Sequence, residues 1–198
     1  MYASAFVLGF HGCDEAVGEA VLAGRQHLSP STNDHDWLGH GIYLWENSPE
    51  RARHWADFLA RHPRRSSRAI SKPFVLGAIL DLGLCLDLTE AASLEAVRVA
   101  HQELAEIFAA INLPLPRNEP GHSSDENLIK RNLDCAVINY LHESRAEQGE
   151  PAYDSVRGAF FEGRPLYAGA GIMEKTHIQI CVRHHRQIRG YFRPIPRA

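Results

Sequence analysis

The fold of this chain turns on the stretch 35-HDWLGHGIYLWENSPERARHWA-56. Leu38 to Trp45 reads as a glycine-punctuated turn running into a short apolar strand, and Ser48-Pro49-Glu50 opens a helix. A serine side chain accepts from the first free backbone N–H groups of a helix, and a proline at the first helical position sacrifices no hydrogen bond. The helix is expected to run from about Pro49 to about Arg61 and to carry His54 and Trp55. Tyr43 thus sits on a strand that is entered through Gly39 and Gly41 and left at once for a capped helix.

Upstream, Ala5 to Phe10 (AFVLGF) reads as a short strand ending at His11-Gly12. Asp14 caps a helix with Ala16, Val17, Ala20 and Val21 on its apolar face, and Gly24 stops it. Leu28 to Asp34 is loop by composition. Downstream, Phe74 to Leu80 (FVLGAIL) is a continuous apolar run of strand length, expected in the middle of a sheet. Asp81-Leu82-Gly83 turns it, and Cys85 to Leu88 is a short continuation. A long helix is expected from Thr89 to about Asn112, a loop to Asp125, and a second helix from Glu126 to Glu143 with Leu128, Leu133, Val137 and Leu141 inward. Val156 to Phe161, His177 to Val182 and Ile188 to Phe192 read as strands. In HIQICV, Ile178, Ile180 and Val182 share one face, and His177, Gln179 and Cys181 the other. This order is α+β rather than regular β-α-β alternation. Neither G-x-G-x-x-G after a strand nor G-x-x-x-x-G-K-[ST] is present, which excludes a Rossmann or P-loop nucleotide site.

At 198 residues the chain suits a single domain, 1–198, with a helical insertion at about 89–147. Apolar and charged fractions of 44% and 23% are those of a globular protein, and a net charge of -3 does not mark a dedicated nucleic-acid binder. Cys13, Cys85, Cys135 and Cys181 form no C-x-x-C pair, so a zinc ribbon or a redox motif is not expected. Two disulfides are formally available, but buried free thiols in a reducing compartment fit better. The start, MYASAFVLGFHG, lacks a basic region and a long apolar core, and no apolar run reaches membrane-spanning length. The expected location is cytoplasmic, away from membranes.

Three polar points stand out: His11 beside Gly12, Tyr43 in Gly41-Ile42-Tyr43, and Gln179 in HIQICV. With "FHG" near the start, "LGHGIYL" followed by a helix with "ARHWA", and "THIQICVRHHRQI" near the end, the chain resembles the ADP-ribosyltransferase superfamily. The nearest branch is the His-Tyr-Glu type, that of poly(ADP-ribose) polymerases, diphtheria-type toxins and small bacterial relatives. The resemblance spans nearly the whole chain and implies a split antiparallel β-sheet with flanking helices and NAD bound between the sheet halves. It also implies roles. His11 would bind the adenosine-side ribose, the Gly12 backbone would hold the nicotinamide carboxamide, and Tyr43 would stack on the nicotinamide ring. A second aromatic on the next helix would close the other side. By count that position is His54, with Trp55 one residue later and larger; successive helical residues turn by about 100°, so only one of them can face the site. Counting back from Gln187-Ile188 puts Gln179 where the branch has its glutamate. Glutamine can hydrogen-bond a ribose hydroxyl but carries no charge. That argues against polymer synthesis and leaves mono-ADP-ribosylation or an inactive NAD binder. Glu162 and Glu174 are the nearest substitutes, and Glu162 falls where the superfamily can place a substrate-facing loop.

The chemistry asked of such a site is modest. Breaking the nicotinamide–ribose bond builds positive charge on the sugar while nicotinamide leaves neutral, so ring clamping, orientation and electrostatics suffice without a metal. Twelve histidines show no ligand spacing linked to a cysteine or carboxylate, so no metal site is expected. Arg157 either pairs with a carboxylate or binds the NAD diphosphate or the target. Acid-free stretches hold Arg61, Arg64, Arg65, Arg68 and Lys72, and five arginines lie between Arg183 and Ala198. These are solvated faces or phosphate-binding ones. The leading expectation is a mono-ADP-ribosyltransferase with NAD as substrate and a macromolecular acceptor, protein or nucleic acid, in the setting of a toxin with an antitoxin partner or of a phage-defence effector. A catalytically inactive NAD or ADP-ribose sensor and a nucleic-acid-binding module on the same fold are the alternatives.

Overall fold

β1 (Val7–Asp14) pairs in unbroken antiparallel register with β3 (Pro73–Leu80), from Val7↔Leu80 to Asp14↔Pro73. The structure, a computed structural model, describes residues 6–63, 69–120 and 128–195. The expected end of β1 at Phe10 is thus corrected. A full-length apolar partner carries the strand through His11 and Gly12 to Asp14, whose side chain then caps α1 (Glu15–Leu22) by accepting from Ala16 N at 3.0 Å. β2 (Ile42–Glu46) meets β1 only at Gly9↔Glu46 and Phe10↔Trp45. Its other edge pairs over four residues with β8 (His177–Val182), which pairs over six with β7 (Ser155–Phe160).

The sheet order is β4-β7-β8-β2-β1-β3-β9, with β9 (Ile188–Phe192) outside β3. β4 (Cys85–Asp87) does not continue β3. It crosses to the opposite edge and runs parallel to β7, so the sheet is mixed rather than purely antiparallel. A parallel neighbour needs a long crossover, and the helices α3 (Ala91–Ala110) and α4 (Asn132–Glu147) lie in the connection from β4 to β7. The expected start of α4 at Glu126 is also corrected: Lys130–Arg131 forms a short strand, β6, against β5 (Asn118–Glu119), and Leu128 is exposed. The class is α+β.

Both faces of the sheet are covered. On one face Cys13, Ile42, Leu44, Leu76, Ala78, Leu80, Ile180 and Val182 pack with Val21 of α1 and Leu28. On the other, Leu38, Leu86, Val156 and Cys181 pack under Ala100 and Leu104 of α3 and Val137, Ile138 and Leu141 of α4. Beside them, Phe10 and Trp45 pack under Ala52 of α2 (Pro49–Arg61), whose first turn is capped by Ser48 Oγ, 3.4 Å from Arg51 N. Among the described residues the four cysteines are free thiols, and no helix is long and apolar enough to cross a membrane.

Candidate functional site

β1 and β2 part after Phe10 and Trp45, and the residues singled out in the sequence lie around that parting. His11 Nδ1 is 2.8 Å from the Tyr43 carbonyl oxygen. A carbonyl only accepts, so Nδ1 carries the proton and Nε2 holds a lone pair. Burial pushes the His11 pKa down, against a smaller opposing effect of that hydrogen bond, and the ring is neutral near pH 7. The Leu8 carbonyl accepts from Asn47 N across the β2 side of the strand. Strand alternation directs the Gly12 N–H and C=O the same way, past the last residue of β1 that β2 pairs. The other side of Gly12 is closed, since a Cβ there would collide with the Ala52 carbonyl of α2. What approaches Gly12 closely in this structure is that helix.

Gly39 and Gly41 do different jobs. Gly39 has φ +77°, a left-handed conformation that favours glycine, whereas a Cβ on Gly41 would lie 2.5 Å from Cys181 Sγ and 2.6 Å from the Val182 carbonyl oxygen. The turn they build is tied to Tyr43, whose hydroxyl donates to the Gly39 carbonyl (2.8 Å) and accepts from Leu38 N (2.9 Å). Burial pushes the phenol pKa well above its usual range. Tyr43 is a fixed, neutral ring.

Register places Tyr43 opposite Cys181 and Trp45 opposite Gln179, so Tyr43, Trp45, His177 and Gln179 share one face. His11 pairs with Leu76 and faces the other way, reaching Tyr43 only through its backbone. Gln179 Oε1 accepts from Trp37 Nε1 at 2.6 Å. Trp37 packs on Gly158 and on the Phe160 ring (4.9 Å), and the Arg131 guanidinium lies 4.8 Å from the Phe160 centroid. On α2, Arg51 and Trp55, one turn apart, reach toward this face. Trp55 lies 6.2 Å from Trp45 and stacks on Phe58. His54 is exposed on the far side of the helix, so Trp55, 44% exposed, is the aromatic at the site.

Glu162 stands at the root of the long β7–β8 connection and pairs with Arg51 (3.3 Å) and Lys175 (3.8 Å); Glu174 pairs with Arg164. Arg157 is not brought to this face. It lies on the opposite side of β7, where its guanidinium bridges Glu46 (2.6 Å) and Asp87 (2.9 Å), so the expected NAD contact is replaced by a carboxylate clamp. Four of the five later arginines are engaged as well: Arg186 with Asp154, Arg189 with Asp81, Arg193 with Glu19, and Arg183 with the Tyr153 carbonyl; Arg197 lies outside the described residues. Arg64, Arg65 and Arg68 lie outside the described residues.

Three polar nitrogens near α2, β2 and β8 are buried without a hydrogen-bond partner: Trp45 Nε1, His177 Nε2 and Arg51 Nε. The sequence reading gave no role to His177, Trp37 or Arg51. The one available signal was that His177 shares a strand face with Gln179. The loop carrying Trp37 also borders a cleft of about 800 Å³, lined by Asn33, His35, His40, Lys130 and Asn139 among others. Among the described residues no three His, Cys, Asp or Glu side chains come together as a metal cage. No family model matches the chain, and no curated protein or solved structure matches it.

Proposed function

We propose that the chain is an NAD-dependent mono-ADP-ribosyltransferase that acts on a macromolecular acceptor. The observation that carries this reading is the parting of β1 and β2 after Phe10. There His11 bonds to the Tyr43 carbonyl and the Gly12 backbone turns toward β2, which supports a role for the first two motifs in holding the dinucleotide. Tyr43 and Gln179 on one face, with Trp55 across from them on α2, support a nicotinamide-sized clamp. In the reaction the bond from ribose C1′ to the nicotinamide nitrogen breaks, its electron pair leaves with neutral nicotinamide, and an acceptor oxygen or nitrogen forms the new bond to C1′ and loses its proton. The polar cleft beside Trp37 offers room for the adenosine end of the dinucleotide.

The test is nicotinamide release from NAD by purified protein, with cell extract and total nucleic acid as acceptors, comparing wild type with Trp55→Ala. Trp55 is half-exposed, so its removal should leave the fold intact while lowering turnover at least tenfold, the order expected for loss of a ring contact. Equal turnover in the variant removes Trp55 from the clamp, and no NAD binding by the wild type refutes the reading. A second reading, an NAD sensor without turnover, is favoured by Gln179, which is uncharged and whose oxygen is held by Trp37. It predicts binding without release.

A further inference from the structure

Trp37 Nε1 already donates to the Gln179 oxygen at 2.6 Å, which leaves that oxygen one lone pair for a ribose on this face. His177, two residues earlier on the same face of β8, has an acceptor that is wholly unengaged. Its Nδ1 is 2.6 Å from the Lys175 carbonyl oxygen, an acceptor, so Nδ1 carries the proton. Nε2 then presents a lone pair that no group among the described residues engages. Burial lowers the His177 pKa, and the nearby Arg51 charge lowers it further. The Lys175 hydrogen bond and Glu162 act the other way, and the net shift is downward, so the ring is neutral near pH 7. His177 is only 8% exposed and Trp45 6%, and Trp45 Nε1, a donor, is equally without a partner. The two rings lie 6.3 Å apart, with Phe160 5.3 Å from His177.

One unengaged acceptor, His177 Nε2, and two unengaged donors, Trp45 Nε1 and the Nε of the ion-paired Arg51, narrow the chemistry of the ligand group. A phosphate or carboxylate offers acceptors only and would face the His177 lone pair with another lone pair. A hydroxyl donates and accepts through one oxygen and satisfies His177 Nε2 and Trp45 Nε1 together. Resting on the NAD reading above, we propose that His177 Nε2 accepts the hydrogen bond of a hydroxyl on the nicotinamide-side ribose while Trp45 Nε1–H donates to it. His177 thereby supplies an acceptor beside the half-engaged Gln179 oxygen. The Arg51–Glu162 ion pair acts electrostatically on His177.

The experiment measures affinity for NAD and for its analogues lacking the 2′- or the 3′-hydroxyl of the nicotinamide ribose, in wild type and His177→Ala. The wild type should lose roughly tenfold on one of the two analogues, the size of one hydrogen bond with a buried partner left unmatched. His177→Ala should lose a similar factor on NAD and nothing further on that analogue, since removing either partner removes the same contact. In wild-type protein carrying 15N-labelled histidine, the His177 Nε2 resonance should move on addition of NAD and stay in place with that analogue, a readout independent of whether the variant folds. Wild type that binds both analogues as tightly as NAD, or a His177→Ala loss equal on all three ligands, overturns the assignment. So does an unmoved Nε2 resonance in protein that binds NAD. Wild type that does not bind NAD at all overturns the parent reading and this one with it.

Discussion

His142 on α4 is buried at 5% exposure, and neither ring nitrogen has a partner. Burial pushes its pKa down to about 3, helped by the charges of Arg183 and Arg145. The unfolded chain binds this proton near pH 6.5, so below that pH the unfolded state holds more protons than the folded one. Stability should therefore be level above pH 7 and fall as the pH drops from about 6.5 toward 3, by roughly 2 kcal/mol between pH 6.5 and 5 from this residue alone. His142→Leu removes a buried polar group that nothing satisfies, and its own stability at pH 7 should stay within about 1 kcal/mol of wild type. Urea denaturation of both proteins at pH 7.5 and 5.0 reads the effect. His11, His177 and His185 are also shifted downward and contribute to the slope of both proteins, so the difference between them isolates His142. A variant that loses as much stability on acidification as the wild type would show that this ring is not the titrating group.

Elements fall into those set by local chemistry and those set by distant partners. α2 begins and ends where its sequence says, because Ser48, Pro49 and its apolar face all lie within it. α4 does not: its N-cap residue, Arg131, makes no side-chain cap, and Asn118 from β5 supplies one instead. Asn118 Oδ1 accepts from Leu133 N (2.9 Å) and Asp134 N (3.2 Å), and its Nδ2 donates to Asp134 Oδ1 (2.8 Å). Asn118→Ala should cost about 1 to 2 kcal/mol, the loss of a strong cap, and should raise amide exchange in the first turn of α4 while α3 stays protected. Uniform exchange across both helices would count against a local cap. In the sequence Asn118 precedes a segment of proline, glycine and serine that separates it from α4, so no window of sequence around the helix contains its start signal. The same limit applied elsewhere. β4 was legible as a strand but not as an edge partner of β7, because pairing across the sheet leaves no mark on three residues. Among the candidate site residues, His11, Gly12, Tyr43 and Gln179 were picked out by their motifs. The Trp37–Gln179 bond, 142 residues apart in sequence, was not. For Arg157 the sequence left two readings open and the carboxylate pairing is the one seen, in a clamp by Glu46 and Asp87 that brings together three strands whose order only the folded sheet reveals.

The sheet joins two groups of strands, β4-β7-β8-β2 and β1-β3-β9, through two residue pairs of β1 and β2, the Asn47 N–H to Leu8 carbonyl bond beside them and the His11–Tyr43 hydrogen bond. So thin a seam invites independent opening of the halves. The side chains argue otherwise, because the apolar cluster beneath α1 takes Ile42, Leu44, Ile180 and Val182 from one group and Leu76, Ala78 and Leu80 from the other, all nearly inaccessible. Opening the seam would expose that shared core, at a cost well above that of the few hydrogen bonds crossing it. The two groups should therefore unfold together. Trp37 and Trp45 report on the β2–β8 side, and the amides of Ala78 and Leu80 report on β3. Tryptophan fluorescence and amide exchange should give the same unfolding free energy within error. Leu44→Ala, a truncation at a fully buried seam position, should lower both readouts equally, by about 3 kcal/mol, with a Tm drop of roughly 6 to 12 °C for a chain of this length. If fluorescence falls while the β3 amides keep their wild-type protection, the shared core does not couple the halves. The seam would then be a hinge along which a dinucleotide could enter.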